Sequence, residues 1–325
     1  MEPSIDLSSR RNNGEPAVHS LHRFVFSVPD LNVAVDFFTA FGLDVRRMGG
    51  RADLRTYGNP HRWAEILQGH GPKRLEYLSF GAFPQDYDKI IARLKSQGVE
   101  LVSPHRNADK PGTWFVDPDG TLVEVVVSEK VSPSVKSAGP VPAKTVRGAG
   151  AAPSRAAIAQ VRPRRLSHIL LFASDVPKMI KFYSDTLGLR LSDHSGDGIA
   201  FLHGAHSSDH HLIAFVKSDG PGLHHSSWDV CGIDEVGLGM HQMIEAGHPH
   251  GWGVGRHVLG SNYFRYVRDP WGSFAEYSAD IDFIGSDHDW KAQDHKPEDS
   301  FYVWGPPVPD DFITNHESTA RRAAA

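Results

Sequence analysis

The chain has 325 residues, 20 histidines, one cysteine (Cys231) and a formal net charge of −5. A single cysteine excludes an intramolecular disulfide and fits a reducing compartment, and the length allows two domains whose cores need no covalent staples. Basic residues are scattered and no apolar run is long enough to span a bilayer, so neither nucleic acid nor a membrane is an expected partner.

Residues 1–18 are polar, lack the apolar stretch of a secretory signal and read as disordered, so a cytoplasmic location is expected. A strand follows at Arg23–Val28, then an amphipathic helix with Val33, Phe37 and Phe38 on one side. The next unit reads as a strand at Leu75–Phe80, a helix over about Tyr87–Gln97, and strands near Glu100, Thr113 and Leu122. Phe115–Glu124 places an Asp-Pro-Asp-Gly turn between two strands, which is a hairpin pattern.

Residues 131–164 are rich in Pro, Ala, Gly and basic side chains and read as a linker. The flanking regions, 19–130 and 165–284, repeat one another. LHRFVFSVPDLNVAVDFFTAFGLDV from Leu21 aligns with LSHILLFASDVPKMIKFYSDTLGLRL from Leu166, setting Asp30 on Asp175 and Gly42 on Gly188. KRLEYLSFGA aligns with GLHHSSWDV, and FVDPDGTLVEVVVS with YVRDPWGSFAEYSA. Each half repeats a β-α-β-β-β pattern again. The expected fold is therefore α+β, with two domains of paired βαβββ modules, each pair closing a core or a cleft.

The C-terminal half carries the chemistry. The strand-like segments LSHILLF, GLHHSSWDV and GSFAEYSAD contain His168, the pair His224–His225, and Glu276. Two imidazoles and one carboxylate can hold a non-heme Fe(II) by one face and leave the other open for substrate and O₂. Adjacent strand residues point to opposite faces, so only one of His224 and His225 can face such a metal. A carboxylate flanked by Phe274, Ala275 and Tyr277 is an unusual surface choice, and a divalent ion would offset the cost of burying it. The pair His210–His211, with His257 and Tyr266, supplies groups that can hold or move a proton. Leu170 lies two residues from His168, hence on its face.

From about His19 to Ile284 the chain resembles the vicinal oxygen chelate superfamily and, within it, the type I extradiol ring-cleaving catechol dioxygenases. The most specific segment is GRHVLGSNYFRYVRDPWGSFAEY, in which Gly-Arg-His precedes a Tyr, an Asp-Pro-x-Gly turn and a Glu. The resemblance implies an oxidoreductase with metal ligands His168, His225 (the second of its pair) and Glu276. It implies His211 as the acid/base residue, with His210 as its rival, and His257 and Tyr266 as hydrogen-bonding groups for substrate and oxygen. Fe(II) is the implied metal, with Mn(II) the alternative. A catechol-type aromatic and O₂ are the implied substrates, and a homo-oligomer the expected assembly. The Trp-containing tail 285–325 is expected to fold over the cleft or an interface, as such segments do in this family.

The N-terminal positions matching the three ligands are Arg23, Tyr77 and Glu124. Arg23 and Tyr77 cannot replace two neutral imidazoles, so the N-terminal domain is expected to hold no metal and to serve packing or assembly. Two other functions share the module. A glyoxalase-like isomerase or lyase typically needs a second carboxylate ligand, and a metal-free small-molecule-binding protein would have no use for the intact ligand set. Arg256 is a candidate partner for a substrate carboxylate, though an exposed arginine is the simpler reading.

Overall fold

The computed structural model describes residues 14–109, 111–141 and 150–318. The N-terminal domain begins with β1 (Val18–Val28), α1 (Leu31–Ala40), β2 (Asp44–Met48), β3 (Arg51–Thr56) and β4 (Asn59–Gln68). Its second module is β5 (Arg74–Ala82), α2 (Pro84–Ser96), β6 (Leu101–Val102), β7 (Thr113–Val116) and β8 (Leu122–Val127). Together they form one eight-stranded sheet in the order β2-β3-β4-β1-β5-β8-β7-β6.

The C-terminal domain repeats the plan. Its first module is β9 (Arg165–Ala173), α3 (Val176–Leu187), β10 (Arg190–Ser195), β11 (Ile199–His203), the short β12 (Ser208–Asp209) and β13 (Ile213–Lys217). The second is β14 (Gly222–Asp229), α4 (Ile233–Glu245), β15 (Gly251–His257), β16 (Tyr263–Arg268) and β17 (Phe274–Ala279). The tail adds β18 (Phe283–Ile284), β19 (Gln293–Asp294), α5 (Pro297–Ser300) and β20 (Tyr302–Trp304). β19 and β20 cap the two ends of the sheet, whose order is β19-β10-β11-β13-β9-β14-β17-β16-β15-β20. This is the α+β architecture of paired modules read from the sequence.

The internal repeat has a local physical basis. Asp30 and Asp175, matched in the repeat, are helix N-caps: Asp30 accepts from the backbone N–H of Asn32 and Val33, and Asp175 from that of Lys178. Such a cap is worth about 1 kcal/mol. Gly42 and Gly188, just past α1 and α3, have φ of +98° and +74°, where a side chain would be strained. A Cβ at Gly42 would also run into the Val161 carbonyl, and one at Gly188 into Ala17. The segments leading into β9 and β1 thus pack at equivalent spots, Val161 beside Gly42 and Ala17 beside Gly188.

One face of α1 differs from the sequence pattern. Leu31, Ala34, Phe37 and Phe38 are its buried residues, whereas Val33 is 39% exposed. The buried stripe runs through positions three and four residues apart starting at Leu31, which leaves Val33 outside it.

The segment 131–164 has no strand or α-helix among its described residues, yet Val161 is buried and Arg164 pairs with Asp229 at 2.8 Å. Of residues 1–18, 1–13 lie outside the described residues, while Ala17 and Val18 are buried.

The two domains share one apolar core. Phe41 stacks on Tyr277 with ring centroids 3.9 Å apart, and the Tyr277 hydroxyl donates to the Phe41 carbonyl. Gly239 in α4 makes room for that ring, since a Cβ there would fall 2.7 Å from it. The two Asp-Pro-x-Gly turns also cross between domains. Asp117 accepts from the Tyr183 hydroxyl of α3, and Asp269 pairs with the buried Lys73. Tyr277 matters for the site because its neighbour Glu276 points the opposite way, into the C-terminal cleft.

Candidate metal centre

Strand register places the candidate residues in one row. Across β9, β14, β17 and β16, His168 is opposite Ser227, Ser227 opposite Glu276, and Glu276 opposite Tyr266. Residues opposite one another on adjacent strands share a face of the sheet. His225 is two residues from Ser227 and joins the same face. A β-bulge between Leu223 and His225 in the β14–β9 pairing locally distorts the pleat, and both His224 and His225 line the cavity.

His168, His225 and Glu276 each bring one donor atom within 4.8 Å of the others. Nε2 of His168 and Nε2 of His225 lie 3.4 and 3.6 Å from Oε2 of Glu276. All three side chains are at least 97% buried. Nε2 of His225 and Oε2 of Glu276 have no hydrogen-bond partner among the described residues. A buried polar atom left unpaired costs about 1–3 kcal/mol, and more when charged. Here the unpaired atoms converge on one point. Two nitrogens and one carboxylate oxygen converging in a largely apolar pocket are the donor set of a divalent transition metal with open positions. The residues present fit that group.

Hydrogen bonds behind the ligands fix which nitrogens are bare. Asp209, paired with Arg165, accepts from the Ser167 hydroxyl. With its proton spent, Ser167 Oγ accepts from Nδ1–H of His168 at 3.2 Å, leaving Nε2 unprotonated. Similarly, His224 donates from Nε2 to the Phe312 carbonyl, so its Nδ1 accepts from Nδ1–H of His225 at 2.8 Å. Nε2 of His225 is then also bare. Such partners raise ligand basicity and hold ring orientation. On the carboxylate side, Asn262 donates to Oε1 of Glu276 at 3.1 Å and directs Oε2 toward the two imidazoles.

The other candidates line the same cavity. His211 lies just before β13, its ring 3.9 Å from that of His168. Burial, with His168, His210, His225 and His257 nearby, holds its imidazole well below the usual range, so it is neutral and able to accept a proton. His210 does not line the cavity; it lies behind His211 and binds Asp193. Tyr266 stays protonated, because burial and the Glu276 charge push its phenol well above its ordinary value. His257 is kept neutral chiefly by burial and donates from Nδ1 to the Phe301 carbonyl. Its Nε2 therefore accepts the Tyr266 O–H at 2.9 Å. In this arrangement the Tyr266 proton is directed to His257 and the phenol oxygen faces the cavity.

The remaining walls are Leu170, Ile199, Phe201, Val216, Leu259 and the tail residues Ser300, Phe301, Phe312 and Ile313. Among the described residues no Lys or Arg lines the cavity. Arg256 is turned away, donating to the Ser261 carbonyl and the Tyr263 hydroxyl. The tail lies over the cleft, with Phe301 and Phe312 supplying the carbonyls that hold His257 and His224. Sequence reasoning missed Asn262, Ser167, Asp193, Asp209 and these carbonyls. Asn262, inside GRHVLGSNYFRY, and Ser167, inside LSHILLF, sat within segments already singled out.

The N-terminal domain carries the matching row without imidazoles. Arg23 is opposite Ser79, Ser79 opposite Glu124, and Glu124 opposite Trp114. The Arg23 guanidinium lies 3.6 Å from Glu124 and 2.8 Å from Asp109. A fixed cation thus faces the carboxylate that matches Glu276.

Comparison with known proteins agrees with this geometry. The Glyoxalase/Bleomycin resistance protein/Dioxygenase superfamily matches residues 20–125 and 165–277, one stretch in each domain. Metapyrocatechase 2 of Cupriavidus necator is 50% identical over 306 residues, covering 93% of each chain. The fold is similar to that of the Mn(II)-bound glyoxalase from Novosphingobium aromaticivorans, with TM-score 0.71 and 26% identity over 90% of this chain and 93% of that one. It is similar also to 2,2′,3-trihydroxybiphenyl 1,2-dioxygenase from Sphingomonas wittichii strain RW1, with TM-score 0.70 and 21% identity over 90% of this chain and 100% of that one. Both halves of the repeat and a relative sharing half its residues place this chain in the glyoxalase/bleomycin resistance protein/dioxygenase superfamily.

Proposed function

We propose that this chain is an extradiol dioxygenase that opens the ring of an uncharged catechol, using O₂ and a divalent metal held by His168, His225 and Glu276. The carrying observation is the convergence of those three donors, two atoms of them unpaired, in the cavity of a chain 50% identical to a metapyrocatechase. Fe(II) is the metal we assign, with Mn(II) as the alternative, since both accept this donor set.

When bound, the metal supplies a chelation point for two vicinal hydroxyls, lowers their pKa and provides a path for electrons from the ring to O₂. The chain's own residues do the rest. His211, neutral and on the cavity wall, takes the proton from one substrate hydroxyl and returns it as the ring opens. Tyr266 and His257 form a coupled pair that can accept from, or turn to donate to, an oxygen beside the metal site. Leu170, Phe201, Leu259 and Phe312 clamp the ring's faces and exclude water. Both oxygen atoms of O₂ are retained in a ring-opened semialdehyde-type product.

That no Lys or Arg among the described residues lines the cavity argues for an uncharged ring substituent, because a buried carboxylate without a partner is costly. We assign the region 19–130 a packing or assembly role without a metal. We place the enzyme in the cytoplasm, in keeping with the single cysteine, and assign it a homo-oligomeric assembly.

A panel of catechols tests this reading, followed by oxygen uptake and the absorbance of the ring-opened product with metal content measured on the same sample. Alkyl- or unsubstituted catechols should turn over far faster than carboxylated ones. Isomerisation of a thiol adduct without oxygen uptake would instead favour a glyoxalase-like reaction, the rival that the Mn(II)-bound glyoxalase structure keeps in view.

A further inference from the structure

Behind His211 lies a second buried group that the reaction above does not use. Nδ1 of His211 is 3.0 Å from Nδ1 of His210, and Nε2 of His210 is 2.8 Å from Oδ2 of Asp193. His210 is fully buried and Asp193 is 6% exposed. The other Asp193 oxygen is occupied from the tail: Oδ1 accepts from the backbone N–H of Gln293 at 2.9 Å and from His295 Nε2 at 3.2 Å. Phe201 and the tail's Trp290 pack on the His210 ring, keeping water from the chain.

Hydrogen-bond polarity orders these contacts. A carboxylate only accepts, so the proton between His210 and Asp193 is on Nε2 of His210. A His210 that carries only this proton has a bare Nδ1, which can only accept. The adjoining nitrogen, Nδ1 of His211, must donate, and Nε2 of His211 is left as a lone pair on the side of the cavity that His211 lines. We infer that Asp193 and His210 are positioning residues that lock His211 in the tautomer with a bare Nε2, making it a base toward substrate. The inference rests on His211 being that base. The logic is that of the carboxylate behind a hydrolase's histidine, extended by one ring. The tail takes part because Gln293 and His295 hold Asp193.

Asp193→Asn is the informative variant. Its Oδ1 can keep the Gln293 N–H, which puts Nδ2 against His210. The amide would donate where the carboxylate accepted, and both rings would have to reverse: His210 to Nδ1–H and His211 to Nε2–H. The fold and the metal ligands are untouched.

The test is ¹⁵N NMR of histidine-labelled full-length protein, metal-free and loaded with Zn(II), with assignments from His210→Gln and His211→Phe. The expected result is Nε2–H on His210 and Nδ1–H on His211 in the wild type, both reversed in Asp193→Asn. In the native enzyme, kcat of Asp193→Asn should fall about 10²–10⁴-fold with KM little changed, and Asp193→Glu should recover part of the loss. Nε2–H on His211 in the wild type would overturn the inference, as would wild-type kcat in Asp193→Asn. Full turnover by His211→Phe would overturn the base assignment itself and this role with it, and it is read independently of the tautomers.

Discussion

The imidazole of His224 donates from Nε2 to the Phe312 carbonyl at 2.8 Å and presents its Nδ1 to His225 at 2.8 Å. One adjacent pair thus divides its labour: His225 turns a bare nitrogen to the metal position and His224 ties that ring to the tail. His224→Phe keeps a ring among Phe172, Phe274 and Phe312 but removes the acceptor for His225. Metal affinity, measured by chelator competition, should fall about 10–100-fold with the fold retained. His225→Ala should lose the metal outright. The opposite pattern, metal lost in His224→Ala and kept in His225→Ala, would make His224 the ligand and overturn the assignment of His225.

His211 and Tyr266 should separate in kinetics. His211→Phe leaves the three ligands in place, so metal and catechol still bind while turnover drops about 10²–10⁴-fold. Tyr266→Phe keeps the ring packed against Trp252 and Phe312 and removes only the O–H that His257 accepts. Its loss should be the milder one. Oxygen uptake normalised to metal content decides the order.

Arg23 faces Glu124 where the C-terminal domain has His168 facing Glu276. Arg23→Met removes the cation and leaves a buried carboxylate short of its partner, which costs about 3–5 kcal/mol. The thermal midpoint should drop while metal content stays at one per chain. A second stoichiometric metal beside Glu124 would contradict the assignment of a metal-free domain.

The fold and the ligand row were legible because they are periodic. The β-α-β-β-β pattern repeats at near-constant offset, and the repeat's Asp30 and Asp175 prove to be N-caps, a role readable from one residue and its neighbours. His168 and Glu276 stood out because each sits among apolar strand residues, and His225 because it belongs to an adjacent histidine pair in a strand-like segment. What stayed hidden depends on contacts distant in sequence. No local pattern tells that Phe312 offers its carbonyl to His224, or that Gln293 and His295 reach Asp193. A backbone carbonyl has no sequence signature at all. The outward turn of Val33 was likewise set by packing, since a helix bearing several apolar residues has more than one plausible stripe.

Asp117 gives the fold a pH dependence of known sign. Its Oδ1 accepts the backbone N–H groups of Asp119 and Thr121 at 3.0 and 2.8 Å, and its Oδ2 the Tyr183 hydroxyl at 3.1 Å across the domain boundary. Burial raises its carboxyl from 3.8 to about 6, and these hydrogen bonds only partly oppose the rise. Between those values the folded chain keeps a proton that the unfolded chain has released. Stability from this group is therefore complete below pH 3.8 and is lost as pH rises through about 6. At 1.36 kcal/mol per unit the loss is about 3 kcal/mol. Asp117→Asn cannot ionise, yet its Oδ1 still accepts both N–H groups, and the Tyr183 hydroxyl can turn to accept from the amide. Relative to wild type, the variant should thus gain stability as pH is raised from 4 to 7. Paired denaturant titrations across that range, in chelator so that metal release cancels, measure the difference. Parallel curves for the two proteins would mean that Asp117 is ionised throughout and that its hydrogen bonds outweigh its burial.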